Sequence, residues 1–178
     1  MDKSLITVED IRKFRPLSKE INTERINPFI FEAQHNDLAP VMTPALYNDF
    51  VSKYDQTGDG KYSDYQKLLN GDTYIPTGKT SPVIYEGIVP MLVYYTLARW
   101  YENHSINVTR FGLVQKNTDQ SEPIQPAVIN QLVETLRSNA IAYQNELIRY
   151  ITDKIDTFPL YEGTSETINR TGLKFFDV

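Results

Sequence analysis

The sequence predicts a mainly α protein: an antiparallel helical bundle of five or six helices with a long irregular or β-hairpin arm and an apolar tail. Three observations predict it. Along residues 126–155, Ile129, Leu132, Val133, Leu136, Ala140, Tyr143, Leu147 and Ile151 recur at gaps of three and four, the period of a helix that buries one face. Residues 87–103 are apolar nearly all round, from Ile88 to Tyr101, as in a helix at the centre of a bundle or partly in an interface. Between the two, residues 105–123 have no helical period, and only 108–115 have β character.

The remaining elements follow from local chemistry. Thr7-Val8-Glu9-Asp10 reads as a helix start, a threonine cap with acids in the first turn. Ile11 and Phe14 are expected to face inward, and Pro16 ends the element. A second helix spans about 23–38 with Ile26, Phe29, Ile30 and Ala33 on one face, provided Pro28 lies in its first turn. Thr43-Pro44 is a cap followed by a proline at the first helical position. Leu46, Phe50, Val51 and Tyr54 give that third helix its apolar face. Residues 63–69 form a short fourth helix stopped by Asn70-Gly71. Residues 73–82, with two prolines, are a loop or short hairpin. Beyond 157 the periodicity is weak, although Phe158, Leu160, Tyr161, Leu173, Phe175 and Phe176 make the segment apolar.

Composition narrows the function classes. The 178 residues suit one domain large enough for its own core. With no cysteine, a disulfide framework, a thiolate zinc site and a cysteine nucleophile are all excluded. Met1-Asp2-Lys3-Ser4-Leu5-Ile6 holds no long apolar run, which argues against a secretory signal. Glu86, Gly87, Pro90 and Arg99 interrupt the most apolar stretch, so it reads as a buried helix and no membrane contact is expected. The net charge is −5, and Lys and Arg are scattered with no run of three. DNA binding as the main task is therefore disfavoured, whereas lining a channel that DNA traverses remains compatible.

The motifs that resemble active or binding sites are incomplete. Asp55-Gln56-Thr57-Gly58-Asp59-Gly60 has the start of a calcium loop, but its twelfth position is Gln66, which cannot supply the bidentate carboxylate. A small helical domain binding calcium or another ligand through residues 55–66 is thus the alternative reading. Gly78-Lys79-Thr80 ends like a phosphate-binding loop, yet Thr73 stands where the first glycine belongs. His35 and His104 have no metal-ligand spacing, and His35 with Glu32 and Asp37 reads as a solvated helix face. No H-E-x-x-H or G-x-S-x-G is present. The expectation is a protein that is no enzyme, with no catalytic residues, no cofactor and no metal.

Two segments call for partners. Residues 105–123 are long for a connection in a compact domain, and they carry Val108, Phe111, Leu113 and Val114. Leu173, Phe175 and Phe176 would leave an apolar patch in water unless covered by the same domain or by a neighbour. The candidate interface residues are Arg110, Phe111, Leu113, Lys116, Tyr161, Leu173, Phe175 and Phe176.

Several blocks occur in an order that resembles the head–tail connector proteins of phages and prophages of Bacteroidales, including crAss-like phages. They are Ile6-Thr7-Val8-Glu9-Asp10-Ile11, Asn27-Pro28-Phe29-Ile30-Phe31-Glu32-Ala33-Gln34, Ala45-Leu46-Tyr47-Asn48-Asp49 and Tyr65-Gln66-Lys67-Leu68-Leu69-Asn70-Gly71. Two more are Tyr94-Tyr95-Thr96-Leu97-Ala98-Arg99-Trp100 and Asn107-Val108-Thr109-Arg110-Phe111-Gly112-Leu113-Val114-Gln115-Lys116. The resemblance covers about 6–161. It implies a helical connector domain over 1–156, including the arm at 105–123, and a tail at 157–178. It implies a structural virion protein of the neck, made in the host bacterial cytoplasm. Such a subunit forms a ring, commonly of twelve copies, docks on the portal protein and meets the tail or a second neck ring protein. DNA passes through the channel without sequence-specific binding. Within the ring, Phe111 and Leu113 are expected to anchor an arm contact, with Arg110 and Lys116 pairing acids across it.

Overall fold

The computed structural model describes residues 3–15, 17, 23–103 and 126–161, and the backbone of 106–109 and 112–115. Its architecture is mainly helical: among the described residues, six α-helices carry the core and two small antiparallel hairpins extend from it.

Helix α1 (Val8–Phe14) starts on a reciprocal capping box. Thr7 Oγ1 accepts from the Asp10 amide at 3.3 Å, and the Asp10 carboxylate accepts from the Thr7 amide at 2.9 Å. Val8 and Ile11 are buried, but Phe14 is exposed. The helix has only two turns, and its last residue sits at the rim of the contact. Helix α2 (Asn27–Ala33) holds Pro28 in its first turn, where the missing amide costs nothing. It runs on as a π-helical segment (Gln34–Leu38). Gln34 is fully buried there. Its Oε1 accepts from the Leu5 amide at 2.8 Å and its Nε2 donates to the Lys3 carbonyl at 3.1 Å. One side chain thus pins the first strand of chain onto the bundle.

Helix α3 (Pro44–Lys53) follows Thr43, whose φ of 55° is unusual for a β-branched residue. Thr43 Oγ1 accepts from the Leu46 amide and donates to the Leu160 carbonyl at 3.1 Å, which holds the strained turn in place. Helix α4 (Tyr62–Asn70) ends at Gly71, with φ 108°. The next segment is a hairpin of β1 (Asp72–Tyr74) and β2 (Val83–Tyr85), in the register Asp72↔Tyr85, Thr73↔Ile84 and Tyr74↔Val83.

Gly71 and Gly87 (φ 90°) let two backbone segments touch. A Cβ on Gly87 would lie 2.5 Å from the Leu69 carbonyl oxygen, and one on Gly71 would lie 2.6 Å from that of Tyr85. Both obstacles are main chain, so neither can rotate away. Gly87→Ala is expected to cost about 2–3 kcal/mol in chemical denaturation, whereas Gly58→Ala, with open space around it, stays within about 1 kcal/mol.

Helix α5 (Ile88–Asn103) is the centre of the molecule, packed by α1, α2, α4 and α6 (Pro126–Asp153). Its lack of a polar face is therefore explained by burial on several sides. The α5–α6 pair is antiparallel: Tyr94 stacks on Tyr143, Tyr95 donates to Gln144 at 2.8 Å, and Glu102 pairs with Arg137 at 2.8 Å. The last pair lies beside the end of α5, so α6, which starts at Pro126, overruns its partner by about three turns, roughly 15 Å. Leu132, expected in the buried stripe, is exposed, as is Val128, because the buried line of this helix runs through Ile129, Val133 and Leu136 and leaves both beside it. Gln144 and Tyr150 join the buried face instead.

Strands β3 (Ile106–Thr109) and β4 (Gly112–Gln115) pair from Ile106↔Gln115 to Thr109↔Gly112. The arm is thus a β-hairpin, beginning two residues earlier than its β character suggests. Past α6, Phe158 inserts into the core and a 3₁₀ turn (Pro159–Tyr161) follows.

Candidate functional site

Of the residues expected at an interface, Leu113 lies in β4 opposite Val108, and Tyr161 packs half-buried against the core. Burial raises the Tyr161 hydroxyl above its ordinary pKa. Arg110, Phe111, Lys116, Leu173, Phe175 and Phe176 lie outside the described residues. The register Thr109↔Gly112 leaves only positions 110 and 111 between the two strands. Among the described residues, each strand pairs only with the other, and neither packs substantially against another element.

A cleft of about 310 Å³ opens between α5, α6 and the π-helical segment, lined by Asp37, Tyr95, Ala98, Arg99, Arg137 and Ile141. Arg99 Nη2 lies 2.9 Å from Asp37 Oδ2, and Nη1 lies 3.5 Å from Glu32 Oε2. Glu32 and Asp37 are thus not a plain solvated face: the last turn of α2 and the π-helical segment deliver them to one guanidinium. Burial raises the Asp37 pKa above the ordinary carboxyl value, although the Arg99 hydrogen bond and charge pull it down. The two arginines of this cleft are both engaged by carboxylates, so it ties three elements together rather than presenting free donors. The sequence held one signal for it, a single arginine in a helix otherwise almost without charge.

At the opposite end of α5, aromatic rings join β1, β2, α4 and α6. Tyr150 stacks on Tyr85 at 4.2 Å, meets Tyr74 edge-on at 5.0 Å and lies 6.1 Å from Phe158. Phe158 reaches Tyr65, which meets Phe50. The hydroxyls are all spent inside: Tyr150 donates to Asp72, Tyr74 to Asp153, Tyr85 to the Leu68 carbonyl and Tyr65 to Asp49. Burial, then the bond to Asp153, pushes the Tyr74 pKa up to about 12. The Tyr65, Tyr85 and Tyr150 hydroxyls are raised as well, with burial the largest cause in each. These phenols stay protonated donors at neutral pH and serve as structural ties.

The two incomplete motifs take up other roles. Asp55 pairs with Lys3 at 2.8 Å, Asp59 Oδ1 accepts from the Lys61 amide at 2.8 Å, and Gln66 donates to the Tyr54 carbonyl. Residues 55–61 form a polar turn that leads into α4, with Asp59 closing it and Asp55 tied to Lys3. Among the described residues, no three His, Cys, Asp or Glu side chains converge as metal ligands. Gly78 (φ 75°) and the Lys79 amide, donating to the Pro76 carbonyl at 3.0 Å, form a turn between β1 and β2. No described helix is long and apolar enough to cross a membrane.

Comparison with curated proteins and with solved structures found no match. Comparison with protein families found one over residues 38–171, a span that runs from the π-helical segment through the arm and α6 to beyond the described residues. The chain belongs to that family, the family of unknown function DUF6712.

Proposed function

We propose that this chain is a structural subunit of a phage neck, a head–tail connector that assembles into a ring, docks on the portal protein and passes DNA to the tail or a second neck ring. The observation that carries this reading is the arm. Among the described residues its two strands pair only with each other, and α6 leaves Val128 and Leu132 exposed, features with more use for a neighbour than for the domain itself. A cyclic ring joins unlike patches of successive subunits, and an arm meeting a distant face of the next copy has that form.

Two further features support the reading. The blocks that resemble connector proteins fall on α1, α2, α3, α4, α5 and the arm, in one order along one compact bundle. Most tyrosine hydroxyls of the core and the Arg99 and Arg137 guanidinia are bound to other groups of the same chain, which suits a structural part. A subunit with net charge −5 and scattered cations has little to hold phosphates, as the wall of a DNA channel requires.

The test is the mass of the purified chain by light scattering across concentration, alone and with the portal protein. A ring of twelve would weigh twelve times the 20.5 kDa chain. Phe111→Asp is expected to abolish assembly while leaving the helical content unchanged, because a buried charge at an interface anchor is costly. A chain that stays monomeric with the portal present, or a Phe111→Asp variant that still assembles fully, would sink the reading.

A further inference from the structure

The face formed by the β1–β2 hairpin and α6 is incomplete in two independent ways. Ile75 and Ile84 are 59% and 67% exposed, the most exposed large apolar side chains among the described residues. Beside them, a small cleft of about 80 Å³ is lined by Tyr74, Val83, Ile84, Tyr85, Glu146 and Arg149. Within this region Glu146 Oε2 is buried and has no hydrogen-bond partner among the described residues. A carboxylate oxygen taken from water without a donor is unfavourable until a donor reaches it. The cleft sets Val83, Ile84 and the rings of Tyr74 and Tyr85 beside the charged Glu146 and Arg149, so a group that matches both kinds of wall is an ammonium on an apolar stem, flanked by apolar residues that cover the isoleucines.

The chain carries such a group. Lys174 lies between Leu173 and Phe175, with Phe176 next. The described structure ends at Tyr161, close to this face: Phe158 is in ring contact with Tyr150, one helical turn from Glu146. Tyr161 is therefore within about 20 Å of Glu146. The eleven residues from 162 to 172 reach about 36 Å when extended, so the same chain can make the contact without strain.

We propose that segment 172–178 docks on the β1–β2/α6 face of its own chain, with Lys174 donating to Glu146 and its apolar neighbours covering Ile75 and Ile84. The family match stops at residue 171, so the docked segment lies outside the matched span. The contact is independent of ring formation and is made by the single chain.

Disulfide trapping tests this cleanly, because the chain has no cysteine of its own. Thr73 sits opposite Ile84, and Asp177 follows the apolar cluster, so Thr73→Cys with Asp177→Cys leaves every proposed contact intact. In dilute full-length protein this pair is expected to close an intramolecular disulfide about tenfold faster than Val128→Cys with Asp177→Cys, the difference a charge-assisted hydrogen bond supplies. Lys174→Glu should drop the rate to that of the control. Adding Glu146→Lys to it should restore the rate, since the charges are exchanged. Lys174→Glu touches nothing in the described core, so its effect cannot be mistaken for unfolding. Equal rates for the two pairs, indifference to the charge changes, or disulfides joining two chains at dilution would each overturn the proposal. None of these outcomes alters the ring mass read by light scattering.

Discussion

Tyr150→Ala is expected to cost about 3–5 kcal/mol of unfolding free energy, the range for deleting a large buried aromatic. Tyr150 is 2% exposed and is the one ring that touches Tyr74, Tyr85 and Phe158 together. Its removal opens a void where α6, the β1–β2 hairpin and the segment after α6 meet. These neighbours are themselves fixed, Tyr85 by the Leu68 carbonyl and Tyr74 by Asp153, so the void cannot easily collapse. Tyr150→Phe separates packing from polarity. It deletes only the 2.9 Å bond to Asp72 and is expected to cost about 1 kcal/mol, because the half-buried Asp72 can turn to water. The check is urea unfolding of both variants with an unchanged slope. Similar losses for the two would mean that the hydrogen bond, not the stacked cluster, holds this junction.

The helices were legible in the sequence because their signals are local. Thr7 with Asp10 and Thr43 with Pro44 define starts by main-chain chemistry that needs no tertiary partner. The misreadings concern what surrounds an element. Leu132 fits the period of α6, but the face that meets the core is narrower and runs through Ile129, Val133 and Leu136. Gln144 and Tyr150 looked polar or amphipathic and are buried because Tyr95 and Asp72 meet their polar atoms. The π-helical turn was hidden for a similar reason. Its extra residue is justified by Gln34 clamping Lys3 and Leu5, about thirty positions away in the chain. Arg110 and Phe111, chosen for a partner contact, lie outside the described residues.

The cleft at the other end of α5 gives the second large effect, and it depends on pH. Arg99→Met keeps the apolar stem but leaves Asp37 without its guanidinium. Breaking a fully buried ion pair from one side costs about 3–5 kcal/mol, and Asp37 is only partly buried, so about 2 kcal/mol is expected near neutral pH. In the native protein burial already raises the Asp37 pKa, while Arg99 opposes the rise. Without Arg99 the folded-state pKa moves further above the unfolded value. The folded state then binds more protons than the unfolded one between these two values, so folding stability increases as pH falls through that window. The deficit of Arg99→Met relative to wild type should therefore shrink between about pH 7 and about pH 4. Asp10 and Asp49 titrate in the opposite sense. Hydrogen bonds from Lys13 and Thr7, and from Lys53 and Tyr65, outweigh burial and lower their pKa values, so their contribution is lost as pH falls. Both are present in wild type and variant alike and cancel in the difference. Adding Asp37→Asn to Arg99→Met should remove the pH dependence of that difference and recover part of the loss. A deficit that stays constant over the whole range would show that Arg99 acts by packing α5 against the π-helical segment, and that its charge is incidental.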